Sequence, residues 1–92
     1  MKIPTKIKIG SIVWKIEFVN PSEIDCDEHV AGDQSEFTQT IRLANGLSPE
    51  MTEEVLFHEI LHCIDSELDH NLVDLISKGY YQTLRENGLL AD

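Results

Sequence analysis

Basic residues are scarce in this 92-residue chain: 7 Lys and Arg stand against 17 Asp and Glu, for a formal charge of −10. So acidic a surface repels phosphate backbones, which argues against nucleic-acid binding and against adhesion to an anionic membrane. It favours cations and leaves room for a basic protein partner, although charge alone asks for no more than solubility. Long apolar runs are missing too. Nothing approaches the ~20 residues needed to span a bilayer. The opening Met1-Lys2-Ile3-Pro4-Thr5-Lys6 has neither the apolar core nor the small-residue cleavage site of a secretory leader. The expected location is the cytoplasm. Cysteine is limited to Cys26 and Cys63, which form neither a disulfide framework nor a C-x-x-C knuckle. Both are expected to be reduced and packed, Cys63 within an apolar helical stretch. Repeats, low-complexity segments and linkers are likewise missing, so residues 1–92 read as one domain. A chain of this size buries roughly 60–65% of its unfolded surface. That supports one core of modest stability, to which a bound metal would add.

What is present is patterned. Ile3, Ile7 and Ile9 fall on odd positions, and Ile12, Trp14, Ile16 and Phe18 on even ones. Each run has the period of two that places its apolar set on one face of a sheet. Gly10-Ser11 between them suits a tight hairpin turn, and Pro4 suits the start of an edge strand. Residues 20–36 read as a loop, broken by Asn20-Pro21-Ser22 and Gly32-Asp33. A third strand is expected at 37–43, with Phe37, Ile41 and Leu43 on one face. Ser48-Pro49-Glu50 is a helix start, with a capping hydroxyl, a proline tolerated in the first turn and acids at the positive end. That helix should run over 49–67. A turn at Asp69-His70-Asn71 leads to a second helix over 72–86, with Leu72, Leu75, Ile76 and Leu84 on its apolar face. Asn87-Gly88 stops it. The expected fold is α+β: a three-stranded, mostly antiparallel sheet in residues 1–44 packed on a two-helix hairpin in residues 48–87.

The chemistry lies in His58-Glu59-Ile60-Leu61-His62, an H-E-x-x-H pattern. On a helix, residues four apart share a face, so both imidazoles can converge on one zinc ion at ~2.0–2.1 Å. Glu59 is displaced around the helix and is free to act on a water that the metal has acidified towards a pKa of ~7. It can take that proton and pass it to a leaving amine. Three fixed letters in five do occur by chance. Here they sit inside a well-signalled helix, and the apolar Ile60 and Leu61 can pack on the sheet while the histidines face a cleft.

The run Val55-Leu56-Phe57-His58-Glu59-Ile60-Leu61-His62 resembles the active-site helix of zincin metallopeptidases. With the sheet before it and a second helix ending Tyr80-Tyr81-Gln82-Thr83-Leu84-Arg85-Glu86-Asn87, residues 36–87 look like the very small gluzincin-like or SprT-like metallopeptidases of phages and mobile elements. The H-E-x-x-H part is specific, and the rest is similarity of arrangement. The resemblance implies zinc, peptide-bond hydrolysis and a sheet strand that holds extended substrate by its backbone.

The third ligand has several candidates. The metzincin third-histidine position is Leu68, which excludes that class. Gluzincins supply an acid from a following helix, usually farther along than this chain offers. If two antiparallel helices turn near residues 67–70, Asp74 lies opposite His62 and becomes the candidate. Its side chain and its separation are both shorter than in that family. Asp74 can equally complete a capping box if Asn71 caps the helix. Asp65 shares the face of the two histidines and suits an outer partner of His62. Asp69 and His70 lie in the turn and could swing inward. His29 is expected to be an exposed loop residue. Tyr81 could donate to a developing oxyanion, or simply sit in the core with a wet hydroxyl. The leading expectation is a zinc metallopeptidase acting on a peptide or protein. The alternatives are a zinc-bound, non-catalytic regulatory or peptide-binding module of phage type, and a metal-free structural protein with packed histidines.

Overall fold

The computed structural model describes residues 1–24 and 31–90. The expected hairpin is there: β1 (Lys6–Ile9) and β2 (Ile12–Val19) pair antiparallel, with Ile7 opposite Trp14 and Ile9 opposite Ile12. Gly10 has a φ of +61°, the left-handed conformation that a two-residue turn requires and that glycine adopts without strain. Alternation along β2 puts Trp14 and Ile16 into the core. Pro4 precedes β1 instead of lying in it.

Beyond the hairpin the sheet departs from expectation. Among the described residues it has four strands and is mixed: β4 (Thr40–Ala44) lies beside β2, and β3 (Gly32–Ser35) is at the far edge, for an order β1-β2-β4-β3. β3 (Gly32–Ser35) falls within the segment expected to be a loop, which also holds a short 3-10 turn at Pro21–Glu23. β4 (Thr40–Ala44) runs parallel to β2 and antiparallel to β3. The long connection after β2 explains the parallel pairing, because the chain passes to the far edge, forms β3, and returns between β3 and β2. Phe37 is not on a strand face. It lies in the β3–β4 turn, 97% exposed, beside Gln39 with a φ of +52°.

Helix α1 (Pro49–Ile64) starts as expected. Ser48 caps it by accepting a hydrogen bond from the Met51 amide at 3.1 Å, and Pro49 occupies the first turn. The helix ends three residues before the expected 67, with Asp65 as its C-cap. Leu56 is sealed into a core of Trp14, Ile16, Ile41 and Leu43, with Val55, Ile60 and Cys63 packed around it. Burial pushes the Cys63 thiol up to about 12, so it stays protonated and unreactive. Cys26 lies outside the described residues.

Helix α2 (His70–Glu86) begins two residues earlier than expected, after Asp69 in place of Asn71. It packs on α1 through Val73, Ser77 and Tyr81. Leu72, Leu75 and Ile76, expected to be its buried face, are exposed. The helix is turned so that a mixed stripe meets α1. Tyr81 stacks edge-on to Phe57 at 5.4 Å and donates to Glu53 Oε1 at 2.6 Å. The other Glu53 oxygen pairs with the amino group of Met1 at 3.0 Å. Burial would raise the Glu53 pKa, but the Tyr81 hydroxyl and the amino group outweigh it and hold the carboxyl below its usual value.

One glycine sets the distance between sheet and helix. A Cβ on Gly32 would lie 2.7 Å from Val55 Cγ1 and 2.9 Å from the Arg42 carbonyl oxygen, both too close. The bare backbone lets β3 press against α1 beside Glu59. Gly32→Ala is therefore expected to cost about 1–3 kcal/mol of stability by overpacking. Urea unfolding checks this, and an unchanged midpoint would contradict it.

Candidate metal centre

A cleft of about 720 Å³ runs along α1, with β3 on one side and α2 on the other. His58 and His62 face into it from successive turns of α1, and His70 faces them from the first turn of α2. One nitrogen from each of the three rings can be chosen so that all lie within 4.8 Å of one another. The ring centroids are 4.8 Å apart for His58 and His62, 5.1 Å for His58 and His70, and 5.7 Å for His62 and His70. The Nε2 atoms of His58 and His62 stand 3.1 Å apart. Two nitrogens sharing a tetrahedral zinc ion at ~2.0 Å would be ~3.3 Å apart, so this pair is already at ligand spacing.

The donor chemistry fits zinc as well. Burial, followed by the neighbouring His62 and His70, holds His58 below the ordinary imidazole pKa against the opposite pull of Asp74. Burial and His70 do the same for His62. Both rings are thereby kept neutral near pH 7, which is the form that binds a metal.

Asp74 takes a different place from the one expected of a ligand. Its Oδ1 lies 3.8 Å from His58 Nδ1, the nitrogen other than the one that faces His62. Its Oδ2 is held by Lys78 at 3.1 Å. It stands behind His58, where a carboxylate can orient an imidazole and strengthen it as a ligand. The converging group thus contains His70 in the place assigned to Asp74. The cause is the earlier start of α2: with Asp69 as the residue before the helix, His70 and Asp74 are one turn apart on the face towards α1. No hydrogen bond or ion pair joins Asp65 to His62 among the described residues. Asp65 is exposed and accepts from the Glu67 amide at 3.0 Å. Tyr81 is occupied by Glu53, away from the residues that line the cleft. His29 lies outside the described residues.

Glu59 is 5% exposed, yet it lines the cleft. Burial, with the charge of Asp33 adding to it, raises its pKa to about 7. Asp33 itself is held in a two-point pair by Arg42, its cross-strand partner on β4. A carboxyl poised near neutral pH suits proton transfer in either direction, and a cation among the histidines would favour its charged form.

No family model, curated protein or solved structure matches this chain.

Two outcomes follow. His70→Ala should weaken zinc binding as a ligand loss does, whereas Asp74→Ala should weaken it by about 10–100-fold, as removal of an outer partner does. Competition with a chromogenic chelator measures both, and a larger loss in Asp74→Ala would reverse the assignment. The second outcome concerns pH. Folded Glu59 binds its proton more tightly than it does when unfolded, so the metal-free chain loses stability as pH rises from about 4.5 through about 7. The span corresponds to about 3 kcal/mol. Glu59→Gln should therefore raise the Tm of chelated protein at pH 8 and leave it nearly unchanged at pH 4.5. Equal shifts at both pH values would contradict the buried-acid description.

Proposed function

We propose that this chain is a zinc-dependent peptidase, with His58, His62 and His70 holding the metal and Glu59 serving as general base. The observation that carries the reading is the convergence of three imidazoles beside a buried carboxyl in a cleft bordered by an edge strand. Zinc bound there would supply Lewis acidity, acidifying water towards ~7 and polarising a carbonyl. Glu59 takes a proton from the attacking water and returns it to the departing amine. Among the described residues β3 pairs only with β4, so its outer edge offers backbone groups to an extended peptide. Asp74 keeps His58 oriented throughout. A histidine in the third position sets this centre apart from the gluzincin pattern, which uses an acid. A non-catalytic zinc module could use the same cleft, but it would have no need of a buried carboxyl at Glu59 that has no hydrogen-bond partner among the described residues.

Glu59→Gln preserves shape but cannot accept a proton. It should retain about one zinc per chain and lose at least about 100-fold in cleavage of a mixed peptide library. His58→Ala and His62→Ala should lose zinc and cleavage together. Elemental analysis and mass spectrometry of the digests read both quantities. Undiminished cleavage in Glu59→Gln would remove it as the base, and absence of zinc from the wild-type chain would remove the centre itself.

A further inference from the structure

The cleft extends past the histidines along α1. Met51, Glu54, Val55, His58 and His62 follow one another at helical spacing, and all line it. At 1.5 Å of rise per residue, Glu54 lies ~9 Å along the axis from the midpoint of the two histidines. An extended peptide advances ~3.3 Å per residue, so Glu54 stands beside a substrate side chain about two or three residues from the bond to be broken.

The charges around this stretch are unequal. Asp33 is paired with Arg42, and Asp74 with Lys78. Glu54 is half-buried, and no hydrogen bond or ion pair reaches it from the described residues. Leu47, Met51 and Val55 give the same cleft an apolar lining, and Met51 lies one turn before Glu54 on α1. A methylene stem along an apolar wall with a carboxylate at its end is what the side chain of lysine or arginine complements. Glu59 makes a second, separate point. It is more than nine-tenths buried, faces the same cleft and has no hydrogen-bond partner among the described residues. A cleft that keeps such a group undisturbed is built to receive a ligand. The formal charge of −10 adds a long-range field that draws cationic peptides towards it.

We propose that the cleft selects peptides carrying a basic side chain, with Glu54 as the specificity-determining residue. The proposal rests on the peptidase reading for its substrate class. Glu54 takes the ammonium or guanidinium group, while Leu47, Met51 and Val55 cover the stem. An acidic side chain at the same place meets repulsion from Glu54, and the lysine that lines the cleft, Lys78, is already paired with Asp74.

The test uses peptides identical except for Arg, Ala or Glu at the second or third residue from the cleaved bond. Wild-type protein should favour Arg over Ala by about three- to tenfold in kcat/KM, with a smaller ratio at high salt. Glu54→Gln should bring the Arg-to-Ala ratio close to one, and Glu54→Lys should invert the order in favour of Glu. Zinc content and Tm report whether each variant is folded. The same peptides, fluorescently tagged, are also bound to Glu59→Gln protein with and without the Glu54 substitutions. An Arg preference in binding that Glu54→Lys reverses would uphold the assignment even if wild-type protein cleaved nothing, and the peptidase reading alone would then fail. Cleavage of all three peptides with equal kcat/KM, or an Arg preference that survives Glu54→Gln, would overturn the proposal and leave the peptidase reading standing.

Discussion

Helix α1 is gripped on two sides, and everything at the candidate site depends on that grip. Leu56 locks one side into the sheet core with Trp14, Ile41 and Leu43. Phe57 meets Tyr81 of α2 on the other, and Glu53 ties Tyr81 and the amino group of Met1 together. With its rotation fixed in this way, α1 can turn His58 and His62 only towards the gap between α2 and β3. Gly32 then brings β3 close enough to bury Glu59 without displacing Val55. The same close approach that dries the carboxyl also presents the strand edge to the cleft.

Three carboxylates around α1 show how burial and partners divide their roles. Glu53 is as little exposed to solvent as Glu59, but it has a hydroxyl and an amino group beside it and is held in its charged form. Glu59 has neither, so burial and Asp33 push its pKa up to about 7. Asp74 is shared between His58 and Lys78. The first is suited to structure, the second to moving a proton and the third to orienting an imidazole. Residue type alone does not separate them.

Much of this was legible in the sequence where the signal is local. The Ser48-Pro49 cap marks the start of α1 because capping chemistry acts within one turn. The alternation of Ile7, Ile9, Trp14 and Ile16 marks the hairpin because each strand has one face in the core. The strand Gly32-Asp33-Gln34-Ser35 was not legible, since it has no apolar alternation and is placed by the approach to α1 that Gly32 permits. The orientation of α2 misled for the opposite reason. Leu72, Leu75 and Ile76 form an apolar face that this chain leaves exposed, while Val73, Ser77 and Tyr81 make the contact. His70 stands in the sequence only as an alternative to Asp74, because Asp69 and Asn71 are comparable capping residues and only packing chooses between them. A cap at Asp69 would have shown His70 and Asp74 one turn apart, the same spacing that marks His58 and His62.

We propose a zinc centre made of three imidazoles, one of them from a second helix. X-ray absorption at the zinc edge of the metal-loaded chain tests it most directly. Three imidazole nitrogens at ~2.0 Å and one further light ligand are expected. A spectrum with two imidazoles and a protein carboxylate, or a chain that takes up no zinc, would contradict it.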